Sequence, residues 1–245
     1  MRFIIHRFES VASTNDLAIR MAEEGAPEGT VVIAGEQTAG RGRHGRSWVS
    51  PPGMGLYLSL ILRPDKPFRD LWQIAFVGSL AAAEAISRVS GLQARIKWPN
   101  DIMLNARKVS GLLAEARAAG EDCLVPIVVG IGINVNIVEF PPEVMQNATS
   151  ICREVGGPVS LQDVERELLR AVDARYTQYL GEGFSSILSA WKRLDCTVGR
   201  HVVVRSGDRD VEGTAVEVNP EGDLVLERED GTRTSVTAGE VILAG

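Results

Sequence analysis

The chain has 245 residues, 44% hydrophobic and 24% charged, a length and balance suited to a sizeable buried core in a soluble globular protein. No run of about 18 apolar residues could span a bilayer, and the N-terminus MRFIIHRFES lacks the apolar stretch and cleavage site of a signal peptide, so a cytoplasmic protein with no membrane partner is expected. The net charge of −6 argues against a protein that coats nucleic acid, because such binding draws on a basic face to displace counterions.

An opening strand over residues 3–8 leads to a helix starting near Ser13, where Ser13 and Asp16 resemble a capping pair and Gly25 can stop the helix. TVVIAGEQ, residues 30–37, reads as a buried strand, and a loop rich in glycine and arginine runs from it to Gly53. LYLSLIL, residues 56–62, has strand character, and an alanine-rich apolar helix follows over about 70–89. Strand-like segments come next at 94–97, 108–116 and 124–135, then two amphipathic helices at about 161–180 and 184–194. Beyond Asp195 the texture changes to short strands at 201–205, 214–218, 223–228 and 232–236, separated by the turn signals Pro220-Glu221-Gly222 and Asp230-Gly231. An all-β unit of about fifty residues is marginal alone, so it is expected to pack on the first domain. The three cysteines, Cys123, Cys152 and Cys196, show no CxxC or Cys/His spacing, which suggests reduced thiols rather than a disulfide framework or a metal site.

GRGRHG at residues 40–45 follows a strand and matches G-x-G-x-x-G, but that dinucleotide fingerprint needs a helix to begin there, and RSWVSPPGMG with Pro51 and Pro52 follows instead. Nor does a Gly-Lys-Ser/Thr make it a P-loop. What remains is a loop with Arg41, Arg43 and Arg46, the densest basic stretch of an acidic chain, suited to one small anionic ligand rather than a long polyanion. Any one of these arginines taken singly reads better as a solvated surface residue, whereas the glycines from Gly40 to Gly53 with Trp48 favour a lid ordered by a ligand. KWPNDI, residues 97–102, sets Lys97, Asn100 and Asp101 around Pro99 at a strand end, with Lys108 and Gly111 further on; taken singly, Lys97 and Asn100 are more often turn or surface residues. VVGIGINVN, residues 128–136, carries Asn134 and Asn136 in an apolar run, where each needs a hydrogen-bond partner that a ligand or a neighbouring loop could supply.

STN at Ser13 to Asn15, EQTAGRGRHGRSW at Glu36 to Trp48, KWPND at Lys97 to Asp101, Lys108 with Gly111, and GIGINVN at Gly130 to Asn136 together are similar, in order and spacing, to biotin protein ligases. The resemblance spans the whole chain. It implies an α+β fold: a mixed β-sheet catalytic domain of the biotin/lipoate ligase type over residues 1–195, then a small C-terminal SH3-like β-barrel over 196–245. It further implies a biotin pocket of Ser13, Thr14, Asn15, Gln37, Gly40, Arg41, Gly42, Arg43, Lys108 and Gly111, and an ATP site of Arg43, Arg46, Trp48, Lys97, Asn100 and Asn134. Arg41, Gly42, Arg43 and Lys108 would wrap the activated carboxylate and phosphate, Trp48 would cover the adenine, and Lys97 and Arg46 would meet the departing pyrophosphate. Ordinary roles stay open beside these: an N-cap at Ser13, a strand terminus at Gln37, core packing for Trp48.

The implied reaction uses ATP and Mg²⁺ to convert biotin to biotinyl-5′-AMP, then passes the biotinyl group to a lysine of a biotin carboxyl carrier protein. Arg43, Lys108 and Asp101 are the catalytic candidates. The two cations neutralise the anions that must meet, and Asp101 orients or deprotonates the acceptor amine, with a structural turn carboxylate as the competing reading. Mg²⁺ held by phosphates and water needs no carboxylate cage, so no protein metal ligand is assigned. Members of this family that double as repressors carry an N-terminal helix-turn-helix; here the catalytic pattern starts within the first dozen residues, so no DNA partner is expected. A lipoate or octanoate ligase is the nearest rival, with the same expected fold. An oxidoreductase is disfavoured by the missing helix, a non-enzymatic module built on the C-terminal barrel is the third reading, and a homodimer is left open.

Overall fold

A computed structural model describes residues 1–117, 124–206 and 209–243; Cys123 lies outside them, and Cys152 and Cys196 are free thiols. Strands β1 (Ile4–Val11), β2 (Thr30–Gln37), β3 (Gly55–Leu62), β4 (Arg95–Lys97), β5 (Asp101–Leu104), β6 (Arg107–Ala116) and β7 (Ile127–Asn134) form one sheet in the order β1-β2-β3-β7-β6-β5-β4. β1 runs parallel to β2 and every other neighbouring pair is antiparallel, so the sheet is mixed as expected.

All eight residues of β3 are buried, because both faces of the sheet are covered. On one face Val32 and Ile61 pack with Ala18 and Ala22 of helix α1 (Thr14–Glu23). On the other, Val31, Leu58, Leu60, Val129 and Ile131 meet helix α2 (Gln73–Ser90), which in turn packs on α5 (Leu161–Glu182) and α6 (Phe184–Lys192). Each such aliphatic side chain contributes about 1.5–3 kcal/mol when fully buried. Gly78 lets α2 approach closely: a Cβ there would lie 2.7 Å from Leu112 Cδ2 and 3.3 Å from Val129 Cγ1. Ser13 caps α1 as expected, its Oγ accepting from Asp16 N at 3.4 Å.

Two short helices, α3 (Pro142–Met145) and α4 (Ile151–Val155), lie between β7 and α5, and the sequence pattern did not reveal them. Nor did it reveal β5, which makes a tight hairpin with β6 through Asn105 and Ala106, both at positive φ (46° and 64°). The long helix starts at Gln73 rather than near residue 70, because Phe68–Asp70 forms a separate 3₁₀ turn. Strand β7 begins only after Pro126, not at residue 124.

The C-terminal unit is an antiparallel sheet of β8 (His201–Ser206), β9 (Arg209–Val218), β10 (Leu224–Glu227), β11 (Arg233–Val236) and β12 (Glu240–Leu243), in the order β11-β10-β9-β8-β12. The sequence reading lacked β12, which proves to be the strand nearest the site. As expected, this unit packs on the first: Val202, Val204, Leu224 and Leu226 share one continuous core with α2 and the large sheet.

Candidate active site

A cavity of about 510 Å³ opens over β3, β6 and β7, a size typical of small-molecule sites. Its lining includes Ser13, Thr14, Asn15, Gln37, Arg41, Gly42, Arg43, Arg46, Trp48, Lys97, Asn100, Asp101, Lys108, Gly111 and Asn134, so these residues, distant in sequence, converge on one cavity. Gly40 is the exception. It is buried beside the cavity, where a Cβ would sit 2.9 Å from Ser50 Oγ and 3.1 Å from Gln37 Nε2, so it permits the loop to pass rather than facing a ligand.

One end is a buried polar cluster. Gln37 Oε1 accepts from the backbone N and the hydroxyl of Thr14 at 2.9 and 3.0 Å, and Gln37 Nε2 donates to Ser50 Oγ at 3.0 Å. Ser59 Oγ lies 2.8 Å from Thr14 Oγ1 and donates to Asn15 Oδ1 at 2.6 Å. Asn15 Nδ2 donates in turn to Leu113 O and to Glu115 Oε2, 3.1 and 2.7 Å away. The group stands at the start of α1, where short polar side chains can both cap the helix and hold a neutral polar ligand. Ser59 and Ser50 were not foreseen. A lone serine in the apolar run LYLSLIL was the signal that could have found Ser59, since a buried hydroxyl must have a partner.

The other end is cationic. Residues 40–48 fold back on themselves: Gly42 N donates to Arg46 O at 2.7 Å and Trp48 N to Gly40 O at 2.8 Å, with His44 in left-handed backbone at φ 55°. Arg41 bonds both oxygens of Glu115 at 3.0 and 2.8 Å and Asp16 at 2.6 Å; Glu115, then Asp16, hold its pKa above the ordinary value. Arg46 is ion-paired through both terminal nitrogens to Glu240 of β12, which raises its pKa and lowers that of Glu240. Lys108 Nζ lies 2.6 Å from Asp101 Oδ1, with Lys97 Nζ at 4.0 Å from Oδ2. Arg43 differs from these. Among the described residues it has no carboxylate within 4.0 Å; its NH1 donates to Asn100 Oδ1 at 3.1 Å, and burial pushes its pKa down while Asp101 pulls it back up. A half-buried guanidinium without a counter-ion is a ready partner for a ligand anion.

Between the two ends lies Trp48. Its indole rests over Gly111 and Gly132, where a Cβ at either position would press into the ring, and Lys108 Nζ stands 5.4 Å from the ring centroid. Trp48 Nε1 is buried without a hydrogen-bond partner among the described residues, a donor that suits a ligand acceptor. Asn100 Nδ2 donates to Leu112 O and Asn134 Nδ2 to Thr149 O at 3.0 Å, so both amides are partly committed to holding loops. Phe140 before α3, Val144 within it, and Gly239 with Glu240 to Ile242 of β12 complete the wall; no periodicity marked them in advance.

Among the described residues no cluster of three or more His, Cys, Asp or Glu forms a resident metal site. Asp101, the carboxylate nearest Lys108, is engaged by it, so a divalent ion fits here as the partner of nucleotide phosphates rather than of a protein cage.

Residues 7–134 match the biotin/lipoate A/B protein ligase family, and residues 197–244 match the biotin protein ligase C-terminal domain. Over 230 residues the chain is 37% identical to the bifunctional ligase/repressor of Bacillus subtilis, covering 93% of this chain and 70% of that one. It is 35% identical over 239 residues to the biotin–[acetyl-CoA-carboxylase] ligase of Paracoccus denitrificans, covering 95% and 98% of the two chains. The fold superposes on a biotin protein ligase from Aquifex aeolicus in complex with biotin and ATP with a TM-score of 0.84, at 30% identity over 98% of each chain. With a family match over more than half its length and such relatives across nearly all of it, this chain belongs to the biotin/lipoate A/B protein ligase family, on its biotin protein ligase side.

Proposed function

We propose that this chain condenses biotin with ATP to give biotinyl-5′-AMP and pyrophosphate, and then transfers the biotinyl group to a lysine of a biotin carboxyl carrier protein. The observation that carries this reading is the joining of a neutral, buried polar cluster to a cationic cluster in one cavity. A bicyclic ureido head offers both donors and acceptors, which suits Thr14, Asn15 and Gln37; a dithiolane offers neither, so a lipoate ligase fits less well.

In the first step a carboxylate oxygen attacks the α-phosphorus and pyrophosphate leaves. Two anions must approach, and Arg43 with Lys108 supplies positive charge where they meet. A Mg²⁺ ion held by the nucleotide's phosphates and water would supply further neutralising charge. Trp48 is assigned to the adenine, with Asn100 and Asn134 at the nucleotide and Lys97 and Arg46 toward the pyrophosphate. Arg41 and Gly42 close over the adenylate and exclude water from a mixed anhydride that water would destroy. In the second step the neutral lysine amine attacks the acyl carbon and AMP leaves; Asp101 orients that amine or accepts its proton. The pairs Lys108–Asp101 and Arg46–Glu240 are carboxylate placeholders that a phosphate ligand exchanges for itself.

The catalytic unit is assigned to residues 1–195 and the C-terminal unit to 196–245, a division supported by the start of the second family match at residue 197. No helix of the described residues is long and apolar enough to cross a membrane, and the free thiols support a reducing, cytoplasmic setting. The test is incorporation of labelled biotin into a purified carrier domain with ATP and Mg²⁺. Label on the acceptor lysine is expected, and an enzyme that labels only with lipoate or octanoate would move the reading to the sister ligases.

A further inference from the structure

One wall of the cavity comes from the other sheet. Gly239 and residues Glu240 to Ile242 of β12 line it, Lys97 Nζ donates to Val241 O at 3.0 Å, and Arg46 pairs with Glu240. Those contacts are made by long side chains, that of Arg46 being 61% exposed, and exposed pairs of this kind hold position weakly.

The firm attachment lies elsewhere, at the turn between β9 and β10. Gly222 is buried, with φ +80°, and its carbonyl accepts a hydrogen bond from Trp98 Nε1 at 2.9 Å. A Cβ at Gly222 would collide with the Trp72 ring and lie 3.2 Å from Phe76 Cε2. Trp72, Phe76 and Phe184 meet edge to face with centroids 4.9–5.8 Å apart, so the turn is seated in an aromatic socket between α2 and α6. Trp98, 1% exposed, also donates its backbone N–H to Thr197 Oγ1 at 2.8 Å, where the chain enters the second unit. Trp98 also lines the cavity, and Lys97, Asn100 and Asp101 of the pocket lie within three residues of it. One short segment therefore carries pocket groups and grips the C-terminal unit.

We infer that Gly222, gripped by Trp98, is a positioning residue that sets where β12 stands and thereby shapes the nucleotide end of the pocket. Gly222 itself lines no part of the cavity. All four residues of β10 pair with the C-terminal half of β9, whose other half pairs with β8, and β8 pairs with β12, so lifting the turn carries β12 with it. The polar cluster at Thr14 and Gln37 hangs on α1 and β2 instead and is untouched by such a movement. This inference rests on the reading of the cavity as an adenylation site.

The experiment measures KM for ATP and Kd for biotin in the full chain, comparing wild type, Gly222→Ala, Trp98→Phe and, as a control, Glu221→Ala at the exposed neighbouring position. Gly222→Ala forces the turn away from Trp72 with no change to any cavity-lining side chain, and Trp98→Phe keeps an aromatic ring but removes the donor and part of the packed indole. Both are expected to raise KM for ATP by about fivefold or more, the effect of losing one hydrogen bond to a buried carbonyl, with Kd for biotin and Glu221→Ala unchanged. A merely structural role would lower the active fraction without moving KM. If wild type is active and both variants keep its KM for ATP, the latch is overturned alone; if wild type forms no adenylate, the adenylation reading falls and the latch's role in it falls too.

Discussion

At one end of the cavity Thr14, Asn15, Gln37 and Ser59 satisfy one another through neutral hydrogen bonds, most of them buried; at the other, Arg41, Arg46 and Lys108 are each held by a carboxylate near the surface. The first end is preorganised, because short side chains fixed by mutual bonds lose little freedom when a neutral ligand arrives. The second is provisional. Ion pairs at half-exposed sites are worth little individually, so an incoming phosphate can exchange with Asp101 or Glu240 at small cost. A single pocket thus serves a rigid head group and a polyanion by two different means, and Arg43, bonded to Asn100 and without a carboxylate partner among the described residues, is the cation of the second end left open to an anion.

The comparison is broken most directly at that arginine. Arg43→Ala is expected to slow adenylate formation by about 10²–10³-fold, the loss typical of one donor aimed at developing charge, while leaving biotin affinity within a few-fold. Rapid-quench measurement of the single turnover checks it. Next in size, Asp101→Asn is expected to slow transfer from purified biotinyl-AMP by about 10²-fold, with adenylation less affected; transfer at the wild-type rate would leave Asp101 only its structural contact with Lys108. Gln37→Leu sharpens the other side, and should weaken biotin binding by about tenfold in titration calorimetry, as one to two hydrogen bonds are lost, without changing KM for ATP.

The smallest effect concerns the frame beneath the nucleotide end. Burial pushes Glu154 up, but donors from Thr149, Asn105 and Arg107 outweigh it and hold its pKa below the ordinary value of 4.5. A carboxylate with a depressed folded pKa stabilises above its unfolded pKa, and that stability is lost as pH falls through the folded value. Glu154→Gln should therefore cost about 1–2 kcal/mol at neutral pH and show a shallower loss of stability below pH 4.5 in denaturant melts, whereas parallel acid limbs would contradict the assignment.

Much of the large sheet was legible in the sequence because its signals are local, whereas most pocket residues were marked only by the combined resemblance to biotin protein ligases. TVVIAGEQ became β2 with the expected bounds, and the arginine loop and KWPND stand side by side in space. What escaped notice depended on distant partners. Asn105-Ala106 carries no strong turn signal, so the β5–β6 hairpin was invisible, and β12, four residues long, has a strand pattern only when β8 is beside it. Glu115 looked like any strand carboxylate, yet it bridges Asn15 and Arg41 and so joins the two ends of the site. Gly40 shows the converse, a motif residue whose place beside Ser50 and Gln37 is explained by loop packing.

The measurement that bears most directly on a neutral end coupled to an anion-ready end is single-turnover formation of acyl-adenylate from radiolabelled ATP and Mg²⁺, offered biotin and lipoate in parallel. Formation of biotinyl-AMP alone is the expected result, with Arg43→Ala failing at this step although it still binds biotin. Formation of lipoyl-AMP in preference, or wild-type adenylation by Arg43→Ala, would contradict it.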